Sequence, residues 1–156
     1  MAELVALIKG FEGLHDGNKG TTPLEPELCP AGYWTIGWGA TTDETGREVT
    51  RTTPAIDHAA AERLLVRDIG RARTAVLWLV RHPLKPAQLD ALTSFTYNLG
   101  PGRLQASTLR ARLNRGDIRG AADEFPRWVY GGKPARRLPG LVARRDIEQR
   151  MFLSAM

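Results

Sequence analysis

Glu12 follows Phe11 at the end of an apolar run in which Leu4, Leu7, Ile8, Phe11 and Leu14 recur at helical spacing. A carboxyl group beside such a face is partly shielded from water, and shielding favours the protonated form that a general acid needs near neutral pH. Downstream, a Gly- and Pro-rich stretch leads to Cys29, and the aromatic, β-branched run Tyr33-Trp-Thr-Ile-Gly-Trp-Gly carries Thr35. Taken singly, each residue has an ordinary explanation: Glu12 as a solvated carboxylate on a helix edge, Thr35 as a strand residue, Cys29 as a small buried hydrophobe. Cys29 is the sole cysteine, which excludes an internal disulfide and a cysteine-rich zinc site. His15, His58 and His82 share no metal-ligand spacing, so no metal and no other cofactor is expected.

Periodicity and punctuation outline the elements that must hold these residues. Residues 2–14 read as an amphipathic helix. Gly17, Gly20, Pro23, Pro26, Pro30 and Gly32 make 16–32 a loop, and 33–39 suits one strand of a small hairpin sheet, with 45–50 a further strand or turn. From Asp57, placed as an N-cap, Ala59, Ala60, Leu64, Leu65, Ile69, Val76, Leu79 and Val80 hold a helical period until His82-Pro83. Pro86 opens the next helix, with Leu89, Leu92, Phe95 and Leu99, and Gly100-Pro-Gly closes it. Ser107 caps a short helix to Leu113, Asp117 caps another toward Phe125, and 141–153 forms the last; Trp78 and Trp128 are expected in the core. The predicted fold class is α+β within a single domain over 1–156. A β-containing lobe over 15–56 is joined by one long helix to a mainly helical lobe over 57–156, with helix 2–14 packing on the helical lobe.

Several motifs in order along the chain resemble the phage-type lysozymes, the endolysins of glycoside hydrolase family 24. They are Gly10-Phe-Glu-Gly-Leu, Cys29-Pro-Ala-Gly-Tyr-Trp-Thr-Ile-Gly-Trp-Gly, Ala91-Leu-Thr-Ser-Phe-Thr-Tyr-Asn-Leu-Gly, Ser107-Thr-Leu, Arg127-Trp-Val-Tyr and Leu138-Pro-Gly-Leu-Val-Ala-Arg-Arg. The resemblance implies a lysozyme-like fold and an N-acetylmuramidase that hydrolyses the β-1,4 bond between N-acetylmuramic acid and N-acetylglucosamine of bacterial peptidoglycan. It also implies a catalytic set of Glu, then Asp or Cys, then Thr six residues later, which falls on Glu12, Cys29 and Thr35. In that picture Glu12 protonates the leaving oxygen while Cys29 and Thr35 hold the attacking water. A neutral thiol is a poor base. Glu12 and Cys29 stand further apart than the family's pattern, so 16–28 holds an insertion; any of its carboxylates Asp16, Glu25 and Glu27 could act for the missing aspartate. Ala40 stands where relatives carry histidine, which touches a structural contact rather than the reaction. Asn98, Ser107, Arg144 and Arg145 match segments bordering the family's cleft and are candidate substrate contacts. Tyr33, Trp34 and Trp38 could stack on sugar rings, although an alternating strand must send about half of them to the core.

Composition bounds the alternatives. With 42% hydrophobic and 25% charged residues the chain is an ordinary globular one. No apolar run approaches the roughly 18 residues of a membrane span, and 1–10 has no basic region followed by an apolar block and cleavage site, so no signal peptide is expected. Lys and Arg number 22 against 17 Asp and Glu, a net charge of +5, and Arg127, Arg136, Arg137, Arg144, Arg145 and Arg150 lean it toward the C-terminus. A polyanionic partner is favoured: the bacterial wall or an anionic membrane surface. Specific nucleic-acid binding is not expected, because neither a helix-turn-helix pattern nor aromatics interleaved with Lys and Arg is present. The rival readings are a lytic transglycosylase, which needs only one carboxyl group, and a non-catalytic basic wall-binding module. The resemblance further implies a monomer that accumulates in the host cytoplasm until a holin-type partner releases it to the wall.

Overall fold

The computed structural model describes residues 2–13, 23–29 and 32–156. By their internal contacts Ala2–Asp68 and Ile69–Met156 form two compact units. In the first, helix α1 (Ala2–Glu12) buries Leu4 and Ile8, one turn apart. It ends at Glu12 because Gly13, at φ +66°, donates its N–H back to the Lys9 carbonyl at 3.2 Å. Strands β1 (Glu27–Leu28) and β2 (Trp34–Thr35) pair antiparallel, Glu27 opposite Thr35 and Leu28 opposite Trp34. The strand is shorter than the aromatic run because Gly37 and Gly39, at φ +62° and +89°, turn the chain at once. Gly37 is needed on a second count, since a Cβ there would lie 2.9 Å from that of Ala61. Ile36 and Ala40 exchange bonds of 2.9 and 3.0 Å across this turn and join Val49 and Leu64 in a small core, flanked by Trp34 and Ile56. The 45–50 stretch makes a turn: Asp43 Oδ1 accepts from Thr45 N at 2.8 Å, Thr45 Oγ1 at 2.7 Å and Arg47 N at 3.0 Å, beside a bridge of Thr42 to Glu48.

Helix α2 (His58–Leu79) starts as its sequence requires, with Asp57 Oδ1 accepting from Ala60 N at 2.7 Å. Its end lies in the second unit, where Asn114 donates to the Leu79 carbonyl at 3.0 Å and accepts from Arg81 N at 2.7 Å. Helix α3 (Pro86–Leu99) has Pro86 in its first turn and stops at Gly100, φ +85°, whose N–H reaches Thr96 O at 2.8 Å. A helix absent from the sequence expectation, α4 (Pro101–Ala106), follows at once, because Pro101 carries the backbone angle of a helix's first turn. Ser107 donates to Leu104 O at 2.7 Å and accepts from Arg110 N at 3.0 Å, capping α5 (Thr108–Leu113). Asp117 caps α6 (Ile118–Ala122), which ends before Phe125; Phe125–Arg127 makes a tighter 3-10 turn around Pro126. A second hairpin, β3 (Tyr130–Gly131) with β4 (Arg136–Arg137), precedes α7 (Pro139–Leu153).

The core of the second unit centres on Phe95, met edge-on by Phe125 at 5.5 Å and Trp128 at 5.4 Å, with Phe152 tilted on Phe125 at 5.7 Å. Val76, Val80, Leu92, Leu104, Leu109 and Leu113 fill the space around them. Trp128 packs against this core as expected, but Trp78 is 84% exposed and corrects its assignment to the interior. Here α2 buries Ile69, Ala72 and Val76, followed by Val80 beyond its end. Trp78, two residues from both valines, lies about 200° round the helix from that stripe.

Beside Phe95 the core turns ionic. Glu148 of α7, wholly buried, receives Ser94 Oγ of α3 at 2.7 Å and lies 3.1 Å from Arg144 Nε and 2.9 Å from Arg145 Nε. Arg144 also donates to the Ser94 carbonyl at 3.1 Å, Arg145 to Asn98 Oδ1 at 2.8 Å, and the Arg145 guanidinium stacks 5.0 Å from the Phe95 ring centre. Burial pushes the Glu148 carboxyl above the ordinary carboxylate range, opposed by Arg145, Arg144 and the Ser94 hydroxyl. Removing one member of such a group strands the others in a dry interior. Glu148→Gln is therefore expected to cost about 3–5 kcal/mol, whereas Trp78→Ser should move stability by no more than about 0.5 kcal/mol. Denaturant unfolding of the two variants beside the parent protein measures both; equal losses would contradict the core drawn here.

Candidate active site

Within Ala2–Asp68 the three candidate residues lie on one helix end and one hairpin. Leu4, Ile8 and Glu12 stand at i, i+4 and i+8, so Glu12 continues the buried stripe of α1 and is itself half-buried. Lys9, three residues earlier, shares that side of the helix. Its ammonium lies 4.5 Å over the Trp38 ring and pairs with Glu62 of α2, tying the last turn of α1 to the segment that follows β2. Glu12 thus closes the helix as a half-buried carboxyl group.

The register fixes the rest. In an antiparallel pair, opposed residues project to the same face and neighbours alternate. Glu27 opposes Thr35, and Cys29 N donates to Tyr33 O at 2.8 Å, which extends the pairing by one step. Glu27, Cys29, Tyr33 and Thr35 consequently share one face, while Trp34 and Ile36 turn to the small core. The Thr35 hydroxyl donates to the Glu27 carbonyl at 3.3 Å. Thr35 faces away from that core yet is only 4% exposed, so the face at its position is sheltered rather than open to bulk water. Cys29 and Glu27 are half-buried and Tyr33 is 64% exposed.

The structure thus brings Cys29, Thr35 and Tyr33 onto one surface, and puts Trp34 and Trp38 toward the interior. Of the three carboxylates in the insertion, Glu25 is exposed, Glu27 lies on the hairpin face and Asp16 falls outside the described residues. Asn98, Ser107, Arg144 and Arg145 belong to the other unit. Ser107 is buried as a helix cap, and Arg144, Arg145 and Asn98 are engaged with Glu148, with one another's partners, or both. Glu148, which joins them, escaped notice in the sequence. Its spacing of three and four residues after the arginine pair was the available signal. Among the described residues no group of His, Cys, Asp and Glu is arranged to hold a metal ion.

Comparison with known proteins bears on the family and the fold. The family model described as phage lysozyme matches residues 15–148. The endolysin of Acyrthosiphon pisum secondary endosymbiont phage 1 is 35% identical over 97% of this chain and 95% of its own. Among solved structures, the endolysin from Escherichia coli O157:H7 phage FAHEc1 superposes with a TM-score of 0.82 at 29% identity, covering 100% of this chain and 94% of that one. The muramidase domain of SpmX from Asticaccaulis excentricus does so with 0.79 at 31% identity, over 98% and 96% of the two chains. With the family model matched over 15–148 and a 35% identical endolysin aligned over nearly its whole length, this chain belongs to the phage lysozyme family.

Proposed function

We propose that this chain is an endolysin, an N-acetylmuramidase that cleaves the β-1,4 bond between N-acetylmuramic acid and N-acetylglucosamine of bacterial peptidoglycan and so lyses the host cell. The observation that carries the reading is that one compact unit holds both a half-buried carboxyl at the end of α1 and a hairpin face bearing Cys29 and Thr35. Hydrolysis of a glycoside needs a proton for the departing oxygen and a water aimed at the anomeric carbon. Glu12 supplies the proton, and Cys29 and Thr35 position the water. Tyr33, projecting from the same face, offers a ring for a sugar to stack on. The substrate roles expected of Asn98, Ser107, Arg144 and Arg145 are indirect ones, through the local backbone of the second unit that their contacts hold. The whole chain acts as a single lysozyme-like domain.

The partner is the peptidoglycan itself, and the +5 charge speeds encounter with the anionic wall and membrane surfaces around it. Among the described residues no helix is long and apolar enough to cross a membrane. Accumulation of a monomer in the host cytoplasm and release through a holin-type partner complete the reading.

Digestion of purified cell wall should release new reducing ends between about pH 4 and 8, and none at any pH in that range would refute the enzyme. Hydrolysis yields muropeptides heavier by one water than a transglycosylase's anhydro products, so mass spectrometry decides between the two reactions. Glu12→Gln should lose nearly all activity while Cys29→Ser keeps part of it; a fully active, purified Glu12→Gln protein defeats the assignment of the acid. Added salt should slow lysis of whole cells, since at about 0.15 M and above charges more than roughly 8 Å apart are screened.

A further inference from the structure

Near the end of α2, within the second unit, Leu77 and Trp78 are 58% and 84% exposed. Among the described residues they are the only two large apolar side chains that are both exposed and adjacent in the chain. The fold has no use for them: the stripe of this part of α2 that enters the core is Ile69, Ala72 and Val76, and Trp78 turns away from it. Their surroundings are basic. From Ile69 to Leu89 the chain carries no Asp or Glu, while Arg71, Arg81 and Lys85 are exposed. Arg71 stands seven residues before Trp78 and so on the same face of the helix. Asn114, which donates to the Leu79 carbonyl at 3.0 Å and accepts from Arg81 N at 2.7 Å, brings the exposed Arg115 to this end as well. The acidic residues that come next along the chain are matched by other arginines: Asp90 lies 2.6 Å from Arg73 and Asp117 3.1 Å from Arg112.

We propose that the end of α2 is a docking surface for an anionic phospholipid bilayer, with Trp78 and Leu77 entering the headgroup layer and Arg71, Arg81, Lys85 and Arg115 lying against lipid phosphates. The proposal turns the general attraction of a +5 chain to anionic surfaces into a defined contact, and it needs none of the residues assigned to hydrolysis. Two kinds of chemistry at one place select this occupant. Cations alone would serve any polyanion, but a polyanion dissolved in water offers no apolar layer, so Leu77 and Trp78 would stay wet. A bilayer interface offers both: an indole ring settles at headgroup level, its carbons among apolar groups and its N–H among polar ones, while guanidinium and ammonium groups pair with phosphate. A second copy of this chain would bring the same cations to the contact and be repelled by them. One tryptophan and one leucine bury little area, so the attachment is reversible and needs both its parts, the apolar pair and the charges around it.

Sedimentation with lipid vesicles tests this. At low salt the parent protein should travel with vesicles containing phosphatidylglycerol and not with vesicles of phosphatidylcholine alone, and added salt should release it. Trp34 and Trp38 lie toward the interior and Trp128 packs on the core, so Trp78 reports the contact. Its fluorescence should move to shorter wavelength on anionic vesicles and be quenched by lipids brominated on the acyl chain. Trp78→Ser should weaken vesicle binding about tenfold and abolish the shift, with hydrolysis of soluble glycan fragments unchanged; Arg81→Ala and Lys85→Ala should weaken binding about fivefold each. A parent that ignores phosphatidylglycerol vesicles at low salt, or a Trp78→Ser protein that binds them as the parent does, overturns the proposal. Binding that soluble polyphosphate abolishes and Trp78→Ser leaves intact makes the patch a polyanion site, and a dimer that Trp78→Ser dissolves makes it a self-contact; either result rejects the bilayer. The Glu12→Gln protein should bind vesicles like the parent. A parent that binds vesicles as described but releases no reducing ends supports the docking surface and counts against the muramidase reading alone.

Discussion

A slip of one residue in the pairing of Glu27–Leu28 with Trp34–Thr35 would turn Thr35 into the small core and Trp34 out of it, and the face shared by Cys29 and Thr35 would cease to exist. Two-residue strands do not hold a register by themselves. Here it is held from both ends. On one side Cys29 N bonds to Tyr33 O and Gly32 N to Cys29 O, each at 2.8 Å. On the other, Leu24 and Ile56 exchange bonds of 2.7 and 2.8 Å, and the Ile36–Ala40 turn is seated in the core by the close approach of Gly37 to Ala61. The site is therefore as precise as the packing of a few apolar residues onto α2.

The second unit solves a different problem. Its helices are short apart from α3, α7 and the end of α2, and such helices owe their stability to packing rather than to propensity. Phe95 supplies the apolar centre, yet α3 and α7 meet through an ionic group as well. Glu148, Arg144, Arg145, Ser94 and Asn98 accept one alignment of the two helices, because any shift of about one turn would leave charges without partners in a dry interior. An apolar substitute would tolerate such slippage more easily. The arginine pair that reads in the sequence as a surface feature is, in the folded chain, an internal clamp.

What the sequence disclosed follows from the range of the forces involved. Asp57, Pro86, Gly100, Ser107 and Asp117 act on backbone groups within four residues of themselves, and each does in the structure what its type and position require. The same locality made the Glu12 stripe visible and the α+β class readable. Trp78 misled because a large aromatic in an apolar stretch suggests the interior, whereas only its angle to Val76 and Val80 decides. The ionic clamp joins residues about fifty positions apart, which no local pattern encodes. Glu25 and Glu27 are equivalent in the sequence and become distinct only in the structure, where Glu27 stands opposite Thr35 on β1 and Glu25 is exposed before it.

That last distinction bears on why a cysteine stands at position 29. Two carboxylates two residues apart on one strand, with a third at the close of α1, would repel one another, and the repulsion is strongest where the face is sheltered from water. A thiol at position 29 removes one charge and keeps a small polar group in place. Glu27 then carries negative charge on this face directly across from the Thr35 hydroxyl.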